Sequence, residues 1–134
     1  MGAGVQDEDW FLPQAHVVSI IDDDEAVRSA TQGLLRSMGY AAHTFASAED
    51  FLASAEAERA ACVITDVQMP GMSGPELQRV LCARRPGLPI IFITAFPEDR
   101  IREQVMAAGA ADMLGKPFDG QALVDCVAAA LAAH

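Results

Sequence analysis

The chain has 134 residues, of which 51% are hydrophobic and 21% charged, a composition typical of one globular domain and not of a disordered chain. Nineteen acidic residues against nine basic ones give a net charge of −10, which argues against direct binding of these residues to a nucleic-acid backbone. Three scattered cysteines, the lack of an apolar run of about 18–20 residues and an acidic N-terminus predict a reduced, cytoplasmic protein without a membrane span or signal peptide.

The first fifteen residues differ in character from the rest of the chain. They hold two glycines, an acidic run at 7–9 and the aromatic pair Trp10 and Phe11 before Pro13. This pattern predicts an irregular N-terminal tail at residues 1–15 whose aromatic pair rests on the body of the protein or on a neighbour. Residues 16–134 are predicted to form the domain.

Short runs rich in β-branched or aromatic residues predict five strands within this domain. Strands buried on both faces read as continuous apolar segments, whereas half-buried strands alternate. The predicted strands lie at 17–21, 43–45, 62–65, 90–93 and 113–114, and the second and last are the weaker ones.

Helical patterns separate the predicted strands. Apolar residues recur at helical spacing from Val27 to Met38, and Gly39 follows where a left-handed cap residue is expected. Further helices are predicted to begin after Ser47, at Gly74 with Pro75 in the first turn, after Pro97, and after Asp119 as a capping residue. Five strands alternating with five helices predict an α/β fold with a mainly parallel, doubly wound sheet covered on both faces.

Ligands bind to such sheets beyond the carboxyl ends of the strands, so the residues at these ends are the candidates for chemistry. Asp22 and Asp23 follow the first strand, Asp66 the third, Thr94 the fourth, and Lys116, the only lysine, the fifth. Neighbouring carboxylates raise each other's pKa unless a cation offsets them, and Mg²⁺ prefers oxygen ligands of this kind. The pattern is therefore compatible with a site for Mg²⁺ and an anionic phosphoryl-type group. An ordinary solvated acidic cluster is an equally open alternative.

The same residues resemble a known family, the receiver domains of two-component response regulators. The resemblance covers about 17–131 and rests on four motifs in order: the acidic pair 22–23, DVQMPGMSG at 66–74, Thr-Ala at 94–95 and Lys-Pro-Phe at 116–118. The segments 22–28 and 109–112 are most similar to the FixJ-like subgroup. The resemblance implies a flavodoxin-like receiver fold with a five-stranded parallel sheet of order 2-1-3-4-5 and five flanking helices.

The resemblance also implies roles for the acidic residues. Asp66 would accept a phosphoryl group from a phosphohistidine of a sensor histidine kinase. Mg²⁺ would be bound by Asp23 and Asp66 directly, by Asp22 through water, and by the backbone carbonyl of Gln68. Lys116 would pair with a phosphoryl oxygen.

Further implied roles concern switching and the lifetime of the acyl phosphate. Thr94 would hydrogen-bond the phosphoryl group once its loop moves, and the side chains of Gln68 and Phe96 would set how easily water enters. The switch position on the fifth strand, usually aromatic in this family, is Met113, which predicts a looser coupling because methionine has no rigid ring.

The expected partners follow from the same resemblance. They are the kinase, a second copy that dimerises through the fourth helix, fifth strand and fifth helix after phosphorylation, and a C-terminal helix-turn-helix output domain or partner protein. No direct nucleic-acid or membrane contact is expected. Four charged residues on this output face either form salt bridges there or are ordinary exposed charges: Arg100, Arg102, Asp112 and Asp125.

Three rival interpretations are weaker. A haloacid-dehalogenase-like phosphatase also uses an aspartate and Mg²⁺, but it needs an acid two residues later, where this chain has Gln68. A flavodoxin-like FMN binder needs a phosphate loop that does not follow the first strand here. A pseudo-receiver that works without phosphorylation is disfavoured because the whole set of site residues is present. The chain is thus expected to be a signalling domain, not an enzyme, although it assists its own phosphorylation and dephosphorylation.

Overall fold

A five-stranded, all-parallel sheet forms the centre of the molecule. The computed structural model describes residues 16–133, so the predicted N-terminal tail at 1–15 lies outside the described residues. The strand order is β2-β1-β3-β4-β5, which confirms the predicted topology. The strands are β1 (Val17–Ile21), β2 (Ala41–Phe45), β3 (Cys62–Asp66), β4 (Ile90–Thr94) and β5 (Asp112–Gly115).

Helices connect the strands, and several of them begin at a residue whose side chain caps the first turn. Asp24 and Ser47 cap the first two helices with their side chains, and Asp119 accepts a hydrogen bond from the backbone N–H of Gln121 at the start of the last. Gly39, with φ of 94°, follows the first helix in the left-handed conformation that glycine adopts at little cost. The helices are α1 (Glu25–Ser37), α2 (Ala48–Ala53), α3 (Glu56–Arg59), α4 (Gly74–Arg84), α5 (Asp99–Ala107) and α6 (Gly120–Ala132).

The helix count differs from the expectation at one place. The segment between β2 and β3, predicted as one helix, contains both α2 and α3. Ser54 separates them: its backbone is extended, its hydroxyl donates to the carbonyl of Phe51, and it accepts from the N–H of Glu56. Serine side chains compete for backbone hydrogen bonds in this way, which ends one helix and starts the next.

Two apolar layers hold the helices on the sheet. On one face, Ile21, Val63 and Phe92 pack with buried side chains of α2, α3, α4 and α5. On the other face, Ile20 and Ile64 pack with buried side chains of α1 and α6. Because both faces are covered, the three central strands β1, β3 and β4 are almost entirely buried and mostly apolar, as the continuous runs predict, whereas the edge strands β2 and β5 are less buried.

The register brings the carboxyl ends of four strands to one edge. Ile21 lies opposite Thr65, Asp66 opposite Ile93, and Thr94 opposite Gly115. β1 and β3 are the strands at which the order reverses, and the crevice at such a switch point is where α/β sheets bind ligands. Within residues 16–133, no helix has the length and apolarity needed to span a membrane.

Candidate functional site

Three carboxylates meet at the switch point. Asp22 follows β1 and is fully buried, Asp66 ends β3 and is 7% exposed, and Asp23 is open to solvent. One oxygen from each lies within 4.8 Å of the others. The sequence separates Asp22 from Asp66 by 44 positions, so the parallel pairing of β1 with β3 is what creates the cluster.

Lys116, in the segment after β5, supplies positive charge to this cluster. Its Nζ lies 3.0 Å from Oδ2 of Asp66, to which it donates a hydrogen bond, and 2.8 Å from Oδ2 of Asp22. The Lys116 backbone N–H donates to the carbonyl of Thr94, which fixes this segment against β4. The only lysine of the chain thus pairs with two of the three acids.

The electrostatics of the cluster are those of a site with excess negative charge. Burial raises the pKa of the Asp22 carboxyl above its usual range, and its hydrogen bonds with Lys116 and Asp24 offset only part of this effect. Burial lowers the pKa of Lys116, but its hydrogen bonds with Asp22 and Asp66 outweigh it, so the net shift is upward. A second cation at the three carboxylates would relieve the remaining imbalance.

The donor set fits Mg²⁺. The three carboxylates supply the hard oxygen ligands that this ion prefers, and there are few enough of them to leave room for the waters it retains. The backbone from Asp66 through Val67 to Gln68 is also held in place, since the Gln68 N–H donates to Oδ1 of Asp66 at 3.3 Å. Within residues 16–133, no hydrogen bond to the Gln68 carbonyl occurs, which leaves this oxygen free to act as a ligand.

Thr94 and Phe96 lie at the same edge but do not contact the cluster through hydrogen bonds in this state. Thr94 is 2% exposed, and its hydroxyl oxygen accepts a hydrogen bond from the Phe96 N–H at 3.1 Å. The Phe96 ring is 67% exposed. The Thr94 hydroxyl oxygen therefore accepts a local hydrogen bond, and its own O–H can still donate.

The start of α4 packs directly behind Asp66. An added Cβ at Gly74 would collide with the Asp66 carbonyl oxygen and would lie 3.0 Å from the Phe92 ring, so glycine is needed for this approach. Ser73 and Glu76 cap the same helix reciprocally, each accepting a hydrogen bond from the other's backbone N–H. These hydrogen bonds to Ser73 also lower the pKa of the Glu76 carboxyl.

Two neighbours of the site were not among the predicted residues. Arg28 in α1 donates from Nη1 to the backbone carbonyl of Asp22 at 2.7 Å. Glu49 in α2 accepts from the Met72 N–H at 2.8 Å, across 23 residues of sequence. For Arg28 the signal is a cation about one turn into the helix that follows the acidic run. For Glu49 the sequence offers no signal.

The residues assigned to the output face lie apart from the acidic cluster. Met113 is 6% exposed and belongs to the apolar core on the α5 side of the sheet. Arg102 pairs with Asp112 of the same chain at 3.2 Å and donates to the Met113 carbonyl. Asp125 accepts from Gln121. Arg102, Asp112 and Asp125 are thus engaged within the chain, and Arg100 is exposed.

The family model of the response regulator receiver domain matches residues 18–128. The chain belongs to this family. Its FixJ-like character is supported by relatives: the receiver domain is 40% identical over 120 residues to the transcriptional regulatory protein FixJ of Azorhizobium caulinodans. That match covers 90% of this chain and 57% of FixJ.

Other relatives agree with this assignment. The receiver domain is 41% identical over 119 residues to the C4-dicarboxylate transport transcriptional regulatory protein DctR of Rhodobacter capsulatus, covering 87% of this chain and 60% of DctR. The chain therefore spans little more than half the length of these curated relatives. Among solved structures, FixJ-N is similar with a TM-score of 0.80 at 36% identity, covering 90% of this chain and 96% of that one.

Proposed function

We propose that this receiver domain accepts a phosphoryl group onto Asp66 from a phosphohistidine of a sensor histidine kinase. The observation that carries the proposal is the environment of the Asp66 carboxylate: Lys116 at 3.0 Å on one oxygen and two further acids within 4.8 Å. Phosphoryl transfer requires positioning and charge neutralisation more than covalent assistance, and this site offers both.

In the proposed step, a carboxylate oxygen of Asp66 attacks phosphorus as the bond between phosphorus and the imidazole nitrogen breaks. The electron pair of that bond remains on the imidazole, and the product is an acyl phosphate. Asp22, Asp23, Asp66 and the Gln68 carbonyl would hold Mg²⁺, which supplies positive charge to the phosphoryl oxygens when bound. Lys116, already paired with Asp66, would bind a phosphoryl oxygen.

The response to phosphorylation would begin at Thr94. A phosphoryl group adds about −1.5 to −2 charges at Asp66 and presents strong acceptors. The Thr94 O–H would donate to a phosphoryl oxygen once its loop moves, while Met113 fills the space behind it. This change would bias an existing equilibrium of the face formed by α5, β5 and α6. Access of water to the acyl phosphate would be set by Gln68 and Phe96, whose side chains are both exposed.

The wider role follows from the relatives. FixJ and DctR are named as transcriptional regulatory proteins and extend well beyond the matched region. We therefore place this domain in the cytoplasm as the receiver of a regulator that controls a C-terminal DNA-binding domain or a partner protein, with dimerisation through the α5-β5-α6 face. It would act as a phospho-accepting signalling domain without turnover of small phosphate esters.

Intact-mass spectrometry tests the proposal. The protein is incubated with Mg²⁺ and acetyl phosphate, and the mass of one added phosphoryl group is expected. Asp66→Asn should abolish the addition, whereas Asp50→Asn, the same change at an exposed aspartate of α2, should not. Labelling that survives Asp66→Asn would refute the assignment of the nucleophile, and release of phosphate from a small phosphate ester such as p-nitrophenyl phosphate in many turnovers would support the phosphatase alternative.

A further inference from the structure

The loop between β3 and α4, residues 67–73, is anchored at its two ends. The Gly74 N–H donates to the Val67 carbonyl at 2.9 Å, which closes the loop at its base. Met69 is 9% exposed and packs into the apolar core, which anchors the first half. The second half is more open, since Pro70 and Gly71 are exposed.

Glu49 of α2 binds this open half. Its Oε2 accepts a hydrogen bond from the Met72 N–H at 2.8 Å. Gly71, with φ of 79°, lies so close to the same carboxylate that an added Cβ would be 2.5 Å from Oε2 and 3.3 Å from Oε1. The Glu49 carboxylate therefore contacts the loop backbone at two consecutive residues, Gly71 and Met72.

The contact of Glu49 lies in the same loop that follows Asp66, so it bears on the geometry of the acidic cluster. The loop begins with Val67 and Gln68, and the Gln68 N–H donates to the Asp66 carboxylate, so the loop is tied to the cluster at this residue. A loop closed at its base and bound at its far side has little freedom to rotate the peptide that follows Gln68. Removing the contact at Met72 would leave residues 69–72 held by the side chains of Met69 and Met72, which pack against the apolar core, and would free the Met72 backbone N–H.

We propose that Glu49 is a positioning residue for Mg²⁺ binding: by holding Gly71 and Met72 it limits the movement of the loop backbone that carries the Gln68 carbonyl. The inference rests on the proposed function, because it assigns the Gln68 carbonyl to the ion. It adds to that function a residue on a different helix, outside the acidic cluster itself. Residues that support metal ligands without touching the ion often have measurable effects on affinity.

A plain structural role for Glu49 makes a different prediction. Glu49 and Asp50 both lie in the first turn of α2, where negative charge stabilises a helix. Within residues 16–133, only Glu49 of the two has a side chain that binds the loop. If Glu49 acted merely through the helix dipole, replacing either residue would have the same effect on the protein.

The test measures Mg²⁺ affinity by titration calorimetry in the unphosphorylated chain. Glu49→Ala is expected to weaken binding about 3- to 10-fold, a moderate effect because the hydrogen bond is exposed. Glu49→Asp, which keeps the charge but is too short to reach Met72, should weaken it equally. Glu49→Gln keeps an acceptor oxygen and should bind nearly as tightly as the unaltered protein, as should Asp50→Ala.

Hydrogen exchange of the Met72 amide, measured without Mg²⁺, provides a second readout. The amide should exchange faster in Glu49→Ala and Glu49→Asp than in Asp50→Ala, with little change in the Tm of the domain. Equal Mg²⁺ affinity in Glu49→Ala and the unaltered protein would overturn the inference while leaving the proposed function intact. Failure of the unaltered protein to bind Mg²⁺ or accept a phosphoryl group would instead overturn the proposed function, and this inference with it.

Discussion

Replacing Lys116 with methionine removes the cation between two buried or nearly buried carboxylates. The Lys116 side chain is 15% exposed, and its Nζ lies 2.8 Å from Asp22 and 3.0 Å from Asp66. Methionine retains most of the apolar stem, so the substitution removes the charge and changes packing little. Asp22 is fully buried and would be left without its positive partner.

The expected cost is about 2–4 kcal/mol of unfolding free energy at about pH 8. Removing one partner of a buried ion pair costs about 3–5 kcal/mol, and the residual exposure of Lys116 and Asp66 reduces this figure. The cost should shrink as the pH falls to about 5. The pKa of Asp22 is already raised by burial, and it rises further once Lys116 no longer lowers it. A carboxyl group whose pKa is higher in the folded state than in the unfolded state binds its proton more tightly when the protein is folded. Lowering the pH therefore stabilises the folded variant and reduces the cost of the substitution.

Urea unfolding at the two pH values, without Mg²⁺, measures this effect. Arg59→Met is the matched control, because it removes one positive charge from an exposed pair with Glu56 and should cost no more than about 1 kcal/mol. If Lys116→Met lowered the free energy of unfolding no more than Arg59→Met does, and did so equally at both pH values, the electrostatic account of the cluster would be refuted.

Three other predictions concern reactivity and packing. Iodoacetamide should modify the exposed Cys82 well before Cys62, because burial raises the pKa of the Cys62 thiol to about 12; peptide mass spectrometry that finds Cys62 modified first would contradict this. Ser73→Ala should lower the free energy of unfolding by about 0.5–2 kcal/mol through loss of the cap, and an unchanged urea midpoint would contradict it. Gly74→Ala should cost about 1–3 kcal/mol, since its methyl group collides with the Asp66 carbonyl, and a thermal melt that matches the unaltered protein would exclude that clash.

The fold was predictable because its signals are local. Continuous apolar strands, capping residues such as Asp119 and the glycine after α1 each act within a few residues of sequence. The break at Ser54 was missed because a serine inside an apolar helical pattern is compatible with either a continued helix or a stop. Its two hydrogen bonds with neighbouring backbone decide between them.

The acidic cluster was predictable for a related reason. Parallel strands end at the same edge, so residues that follow them meet there whatever their separation in the chain. The pairing of Lys116 with both Asp22 and Asp66 fits that rule. The contact of Glu49 with Met72 does not, because it depends on how a short helix and a loop pack in three dimensions, and no strand register fixes it.

The identity of the acceptor side chain is the central claim, and borohydride trapping tests it most directly. After incubation with Mg²⁺ and acetyl phosphate, borohydride reduces an acyl phosphate to an alcohol and so converts the modified aspartate to homoserine. Peptide mass spectrometry should find homoserine at position 66 of the receiver domain. Homoserine at Asp22, Asp23 or another acid, with position 66 unchanged, would contradict the account.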